Sequence, residues 1–356
     1  MQKLLVTECE RQERGMQMRD DLGITTKLEN GKAYLEFALP EKIGRLLSAL
    51  QIEIWEEAEG GRLVFHGEYS SEEADFMTAL LLRPHLWDGM RDPYVYLVKA
   101  QGRFRTMEDG EKTGGTRNEE ESDPAEDITE AEDVYWQQEL AIYDVRVIDK
   151  KGIFLNEKEF LLREVSYRLP PQISDVGTQE AQMKRDLERL ARLGVNAIRL
   201  EETGSGAEGQ DRCEVRAFYS LCRRRGFLTG DLWIRPEILP VYRGLPGETM
   251  AEALLAADGR TLTERYYYYQ AKWSSEPVLY PVLSTLHRQE NGLLSLTIYS
   301  NQKKVVLYVD GLLFLFQTAA SGDPEFIFED IPVEKLPLHL AVEAGNLSIS
   351  LTVTKL

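Results

Sequence analysis

Carboxylates are the chain's most plentiful reactive groups, 60 Asp and Glu against 42 Lys and Arg in 356 residues. Three of them stand where parallel strands should end. Glu201 and Glu202 follow the apolar run Val195 to Leu200, and Asp231 follows Phe227 to Gly230. Open α/β sheets collect their sites at the carboxyl ends of such strands. Two carboxyl groups held there can work as general acid and general base. Asp231, Glu201 and Glu202, with Glu237 nearby, are therefore the candidate catalytic residues. Arg199 is the candidate ligand-binding cation, although a local acid such as Glu201, Glu202 or Asp231 would serve as a structural partner. Trp273 ends the run that begins with Tyr266 to Tyr269 and is the candidate for stacking on a ligand. Four successive tyrosines point around a helix, so at most two share a face, and packing against a neighbouring domain explains them better.

Other chemistry finds no support. The chain has no G-x-x-x-x-G-K-[ST], no H-E-x-x-H and no G-x-S-x-G. Its histidines, His66, His85, His287 and His339, are dispersed, and Cys9, Cys213 and Cys222 have neither metal-ligand spacing nor the even number that closed disulfides need. No cofactor and no metal are expected. Reduced thiols, the absence of a signal-peptide core and the lack of a long apolar run give cytoplasmic residence as the expectation. A formal net charge of -18 disfavours nucleic acid and anionic membrane as partners, because both are polyanions. Between Glu108 and Asp133 twelve acidic residues face only Lys112 and Arg117. That composition predicts a solvated insertion over 106–134, or alternatively a docking loop for a basic partner.

The elements that must position these groups fall into three stretches. Residues 1–150 show period-two runs, at Lys32 to Leu39, Leu50 to Trp55, Arg62 to Phe65, Met77 to Leu82, Tyr94 to Ala100 and Trp136 to Ile148, which predict an immunoglobulin-like β-sandwich. In 151–276 the period becomes helical: Met183, Leu187, Leu190 and Leu193 share a face, Thr178 is placed to cap the start, and Gly194 stops the helix before a strand at Val195 to Leu200. A second helix is expected over Arg212 to Arg225, a strand over Phe227 to Asp231, and further helices at Thr249 to Ala257 and Thr261 to Trp273. Residues 277–356 return to strand patterns, with Asp310-Gly311 as a hairpin signal.

Gly152 to Leu200, reading GIFLNEKEFLLREVSYRLPPQISDVGTQEAQMKRDLERLARLGVNAIRL, resembles the opening of the catalytic barrel in family 2 glycoside hydrolases, the β-galactosidase and β-glucuronidase group. There a G-x-FLNGK-x-x-x-LRG strand precedes a helix ending in G-x-N-A-x-R. Further along, Phe218, Tyr219, Leu221, Cys222 and Gly226 match the family's F-Y-x-LCDE-x-G run, and Trp273, Ser274, Pro277 and Val278 its A-x-W-S-x-x-P-V-L pattern. Pro84-His85-Leu86-Trp87-Asp88 with Pro93-Tyr94-Val95-Tyr96 is similar to the P-x-LW…P-x-LY signature of the sandwich before the barrel. Ile298 to Asn301 with Val306 to Gly311 is similar to the C-terminal sandwich of many β-galactosidases. The resemblance implies that Trp87, Tyr94 and Tyr96 fill the inter-sheet core, and that a preceding jelly-roll domain is missing.

It also implies a truncated catalytic unit. A (β/α)₈ barrel takes roughly 200 residues or more, yet only about fifty follow Gly226 before the next family-like segment begins. The expected fold is thus multidomain, a β-sandwich, a shrunken α/β barrel remnant and a second β-sandwich. In the family the acid/base is the Glu of an Asn-Glu pair on the fourth barrel strand and the nucleophile lies on the seventh, and neither strand has room here. Asn118-Glu119 and Asn156-Glu157 are out of that context. At Glu164 and Arg168 the chain departs from the LRG-x-x-x-H pattern, losing the Gly and the His, while Arg199 matches an active-site arginine. The reading that follows is a catalytically inactive relative acting as a glycan-binding or assembly module, with burial of its open sheet against flanking domains or a second copy. The alternatives are an active β-glycosidase whose site is rebuilt or completed by another polypeptide, and a structural protein-interaction subunit.

Overall fold

The computed structural model describes residues 22–39, 47–56, 61–73, 77–106, 129–148, 150–169, 176–200, 212–229, 239–240, 253–256, 260–320 and 322–355. The chain divides into two compact units, Met1–Leu161 with Arg212–Gly226, and Leu162–Asp211 with Phe227–Leu356.

The first unit holds β1 (Gly23–Glu29), β2 (Lys32–Ala38), β3 (Leu47–Glu56), β4 (Leu63–Ser70), β5 (Thr78–Leu82), β6 (Tyr96–Thr106), β7 (Thr129–Leu140), β8 (Val145–Ile148), β9 (Gly152–Leu155) and β10 (Lys158–Glu159). They form sheets of order β1-β2-β5, β4-β3-β6-β7 and β10-β9-β8. Period two places Ala33, Leu35 and Phe37 of β2 on the same side as Ala79 and Leu81 of β5. These meet Leu50, Ile52 and Ile54 of β3 and Val98, Ala100 and Phe104 of β6 in one buried cluster. Two antiparallel sheets face to face make a β-sandwich. The acidic segment connects β6 to β7, and 107–128 lies outside the described residues. The expected strand from Trp136 to Ile148 is two strands, since the chain leaves the sheet after Leu140 and re-forms as β8. β1 was not expected. Its hairpin to β2 turns on Asn30 and Gly31 at φ 53° and 72°, as a two-residue turn requires.

The second unit opens with β11 (Glu164–Tyr167), α1 (Val176–Leu193) and β12 (Ala197–Leu200). The next helix, α2 (Arg212–Arg224), belongs to the first unit, and the chain then returns through β13 (Leu228–Thr229), β14 (Leu239–Pro240) and α3 (Glu264–Trp273). The sheet runs β13-β12-β11-β14, and every pairing in it is parallel. Met183, Leu187, Leu190 and Leu193 are buried along α1, as the spacing predicts. The helix begins two residues before Thr178. No helix spans the described part of Thr249 to Ala257, where Leu255 forms an isolated bridge with Leu262. α3 begins later than expected because the Thr263 hydroxyl caps it, accepting from Tyr266 N at 3.3 Å while donating to the carbonyl of Ala253.

The chain finishes with β15 (Leu279–Arg288), β16 (Leu294–Ser300), β17 (Lys304–Val309), β18 (Leu312–Thr318), β19 (Glu325–Ile331), β20 (Leu338–Ala344) and β21 (Leu347–Val353). Sheets β15-β16-β19 and β18-β17-β20-β21 enclose Leu296, Ile298, Leu307, Phe326, Phe328, Leu340 and Val342. Asp310 and Gly311 make the β17–β18 turn. The described structure is mostly β-sheet, with three α-helices and two short 3-10 turns at Ser71–Glu73 and Gly89–Arg91.

Candidate functional site

The parallel sheet is where the sequence places its chemistry. In β11, Val165 and Tyr167 are buried, and the Tyr167 hydroxyl donates to Asp186 Oδ2 on α1 at 3.0 Å. Alternation sends Glu164 and Ser166 to the opposite face. Parallel register sets Ser166 beside Arg199 of β12, with Glu164 two residues before it. Arg199 grips Glu164 with both arms, Nε to Oε1 and Nη2 to Oε2, each at 3.3 Å. Arg199 therefore pairs with an acid, and that acid comes from the neighbouring strand at the position where the family pattern has its glycine. Glu201, Glu202, Asp231 and Glu237 lie outside the described residues. A fork-on-fork guanidinium fixes a carboxylate and uses its acceptor lone pairs. This geometry orients and neutralises Glu164.

The motif residues around this face form an interlock. Arg163 N donates to Asn196 Oδ1 at 2.8 Å, and Asn196 N donates back to Arg163 O at 3.1 Å, tying the starts of β11 and β12 together. The Arg163 guanidinium reaches the carbonyl of Gly194 at 3.4 Å and also that of Trp273. Burial lowers the Arg163 pKa. Gly194 sits at φ 93°, so close to Trp273 that a Cβ would lie 2.5 Å from its carbonyl oxygen. Trp273 thus ends α3 with its backbone engaged and its half-buried ring tilted on Tyr269 at 4.6 Å.

The tyrosines are also occupied. Tyr266 donates to Arg189 O at 3.0 Å, and burial pushes its hydroxyl up to about 12. Tyr267 stacks on Tyr280 at 3.7 Å, and Tyr268 meets Tyr299 edge-on at 5.3 Å. On the buried face, loss of water pushes Asp186 up to about 6, against the lowering effects of the Tyr167 hydrogen bond and of Arg189 and Arg185.

In the first unit, Trp87 is structural as expected, but it lies outside the inter-sheet cluster. Its indole donates to Arg223 O of α2 at 2.9 Å, because Pro84 to Asp88 has already left the sheets. Tyr96 does enter that core, and Tyr94 packs against it from a stack with His85 at 3.9 Å. Asn156 and Glu157 form a turn at φ 49° and 67°. There the Asn156 amide clamps the backbone of Trp87 at 2.8 Å and of Asp144 at 3.0 Å, a structural duty.

A polar face on the same unit was missed by sequence reasoning. The register aligns Glu68, Gln51, Gln101 and Tyr135 in one row across β4-β3-β6-β7, and Ser70, Ala49, Arg103 and Asp133 in the next. Gln101 Nε2 donates to the Tyr135 hydroxyl at 2.9 Å, and Arg103 Nε to Asp133 at 3.3 Å. With Tyr69 and Glu73 the residues of these rows other than Tyr135 border an open groove of about 470 Å³. Planar amides, carboxylates and a guanidinium offer the paired donors and acceptors that a polyhydroxylated ligand needs. The signal was in the strands: outward positions such as Gln51 and Gln101 hold amides where a plain solvated face holds Lys and Glu.

Among the described residues no group of three or more His, Cys, Asp or Glu side chains is placed to hold a metal ion, and no helix is long and apolar enough to cross a membrane.

No family model and no curated protein matches the sequence. Solved structures do. An FMN-binding β-glucuronidase from Facaelibacterium prausnitzii L2-6 superposes with TM-score 0.59 at 15% identity, over 94% of this chain and 73% of that one. The Parabacteroides merdae β-glucuronidase gives 0.57 at 11%, over 94% and 63%. A glycosyl hydrolase family 2 member from Bacteroides cellulosilyticus DSM 14838 gives 0.55 at 13%, over 94% and 63%. The chain spans under two thirds of the last two structures. The likeness is one of fold, distant and extending along nearly the whole chain.

Proposed function

We propose that this chain is a non-hydrolysing relative of family 2 glycoside hydrolases that binds carbohydrate or serves as an assembly module. The observation that carries the reading is the order β13-β12-β11-β14. In a closed (β/α)₈ barrel the last strand pairs with the first. β11, β12 and β13 run in the sequence of strands one to three, and β14 pairs parallel with β11 on its other edge, the position of an eighth strand. α3, carrying the closing-helix motif, follows it. The reading therefore makes strands four to seven the missing ones, and these include both strands that bear the family's catalytic carboxylates. Residues matching the family pattern serve as the interlock described above, which gives them a role without catalysis. The groove bordered by Gln51, Gln101, Arg103 and Asp133 supplies a surface for sugar.

The test has two arms. Purified protein is assayed on aryl β-galactoside, glucuronide, mannoside and glucoside, and screened for glycan binding alongside Gln101→Ala and Arg103→Ala. The expected result is no turnover, with any glycan binding weakened in both variants. Turnover abolished by Glu164→Gln, Glu201→Gln or Asp231→Asn would overturn the reading. It would favour the second one, an active glycosidase with a rebuilt site, for which the Glu164–Arg199 pair is the supporting observation. Localisation in the cytoplasm and a basic partner for the acidic segment are parts of the proposal that fractionation and deletion of residues 108–133 address.

A further inference from the structure

The groove on β4-β3-β6-β7 has a marked charge balance. Glu68 reaches it from β4, Arg103 from β6 and Asp133 from β7, and Glu73 borders it from the turn at Ser71–Glu73. Three carboxylates thus line the space against one cation among the described residues. That cation is engaged. Arg103 Nε donates to Asp133 Oδ1 at 3.3 Å, and Gln101 Nε2 approaches Asp133 Oδ2 at 3.5 Å. Glu73 keeps its charge, because Oε2 accepts from Ser70 N at 2.9 Å and from Ser70 Oγ at 3.0 Å, which holds the carboxyl below its usual range. Glu68 is 78% exposed, with His66 Nε2 at 3.4 Å.

The surroundings do not reverse this balance. In the next row of the same face Glu53 and Lys99 are in register and offset each other. Residues 40–46 lead into β3 with Lys42 and Arg45 against Glu41, while Glu72 and Asp75 flank Glu73 in sequence. Past Arg103 and Asp133, β6 and β7 stay paired as far as Thr106 and Thr129. From Arg105 to Glu132 the sequence holds eleven carboxylates against Arg105, Lys112 and Arg117.

We infer that the groove takes uncharged glycan chains and turns uronates away. This rests on the sugar-binding role proposed above and adds its selectivity. A sugar hydroxyl donates and accepts, so it can meet the amides of Gln51 and Gln101 and the remaining lone pairs of Glu68 and Glu73. A sugar carboxylate only accepts. It meets three like charges and a guanidinium already bonded to Asp133, so it must break that ion pair or sit unpaired beside carboxylates. Two net negative charges at about 8 Å in a wet groove disfavour an anion roughly tenfold at low salt. The effect fades as added salt shortens the screening length.

Isothermal titration calorimetry of the full chain at pH 8, where imidazoles are uncharged, tests this with matched oligomers. A β-1,4-glucan is compared with a β-1,4-glucuronan, and a β-1,4-mannan with a β-1,4-mannuronan. Members of a pair differ only at C6, hydroxymethyl in one and carboxylate in the other. In low salt the uncharged member should bind at least about tenfold more tightly. Raising salt to about 0.5 M and the double variant E68Q/E73Q should each narrow that gap. E329Q/E334Q, which removes two exposed acids of the second unit, should leave it unchanged, and Gln101→Ala should weaken the uncharged member. A uronate that binds as tightly as its uncharged partner, and is lost with Gln101→Ala, overturns the selectivity while leaving the groove a sugar site. A gap indifferent to salt and to E68Q/E73Q does the same. If no member of either pair binds, or binding ignores Gln101→Ala, the sugar-binding reading fails and the selectivity falls with it.

Discussion

Replacing Gly194 by alanine tests the interlock at its tightest point. At φ 93° a β-carbon is strained, and here it would also lie 2.5 Å from the oxygen and 2.7 Å from the carbonyl carbon of Trp273. Backbone atoms cannot rotate aside, so α3 must shift away from the α1–β12 turn, and the Arg163 hydrogen bond to that same carbonyl goes with it. Backbone strain contributes about 1–3 kcal/mol and forced overlap a further 1–3 kcal/mol or so. Alanine's smaller unfolded-state entropy returns less than about 1 kcal/mol. A net loss of about 4 kcal/mol follows, and in a unit of this size each kcal/mol moves the melting midpoint by roughly 2–4 °C. Gly194→Ala should therefore lower the transition of the second unit by about 8–16 °C. Gly311→Ala is the control, in the same unit at φ 82° with nothing within 4 Å of its added carbon. It carries strain alone and should cost about a third as much. Thermal melts by circular dichroism compare the two. If Gly194→Ala melts within a few degrees of wild type, or no lower than Gly311→Ala, the close approach is not what holds α3 in place.

Asp186 makes stability depend on pH. Its folded pKa of about 6 stands above the 3.8 of an ordinary aspartate, so the folded state holds its proton more tightly than the unfolded one. The stabilising contribution is complete below pH 4 and is lost as pH rises through 6, about 3 kcal/mol in all. Asp186→Asn removes that dependence, so urea midpoints should show the variant gaining on wild type between pH 4 and pH 7; parallel curves would refute the assignment. Burial pushes the Cys222 thiol up, so mass spectrometry after alkylation of native protein at mildly alkaline pH should find Cys222 unmodified, and modified only in denaturant. Trp87→Phe keeps the ring but removes the donor to Arg223 O, and should lower the stability of the first unit by about 1–2 kcal/mol in denaturant titrations. No loss would mean that the indole N–H contributes nothing there.

Where a pattern is local, the chain announces it. β2, β3, β5 and the strands of the final sandwich appear because alternation of apolar residues is itself the burial, and α1 because Met183, Leu187, Leu190 and Leu193 repeat at helical spacing. β1 escaped because Thr25 and Lys27 alternate with only half-buried partners, although Asn30-Gly31 marked its turn. The apolar stretch at Ala253 to Ala256 suits a helix by propensity, but two of its carbonyls accept from the hydroxyl of Thr263. Site geometry was harder to read. Arg199 invited pairing with acids beside it in sequence, whereas its partner Glu164 comes from 35 residues away through strand register. Trp87 likewise finds its acceptor 136 residues downstream. Such contacts depend on which strand lies next to which and on where α2 packs, information held by tertiary structure alone.

The placement of α2 carries a consequence for how this protein is made. Glu139 of β7 takes a hydrogen bond from Ser220 at 2.6 Å and an ion pair from Arg224, and Gly226 at φ 80° fits against the Met90 backbone with no space for a side chain. A ribosome delivers residues 1–161 first, yet the last piece of that unit emerges only after β11, α1 and β12 have been synthesised. Domains ordinarily mature in order of emergence. Here the first unit cannot close until residues 162–211, which belong to the second, have been synthesised, and a fragment cut at Leu161 would leave the Trp87 and Glu139 contacts unmade.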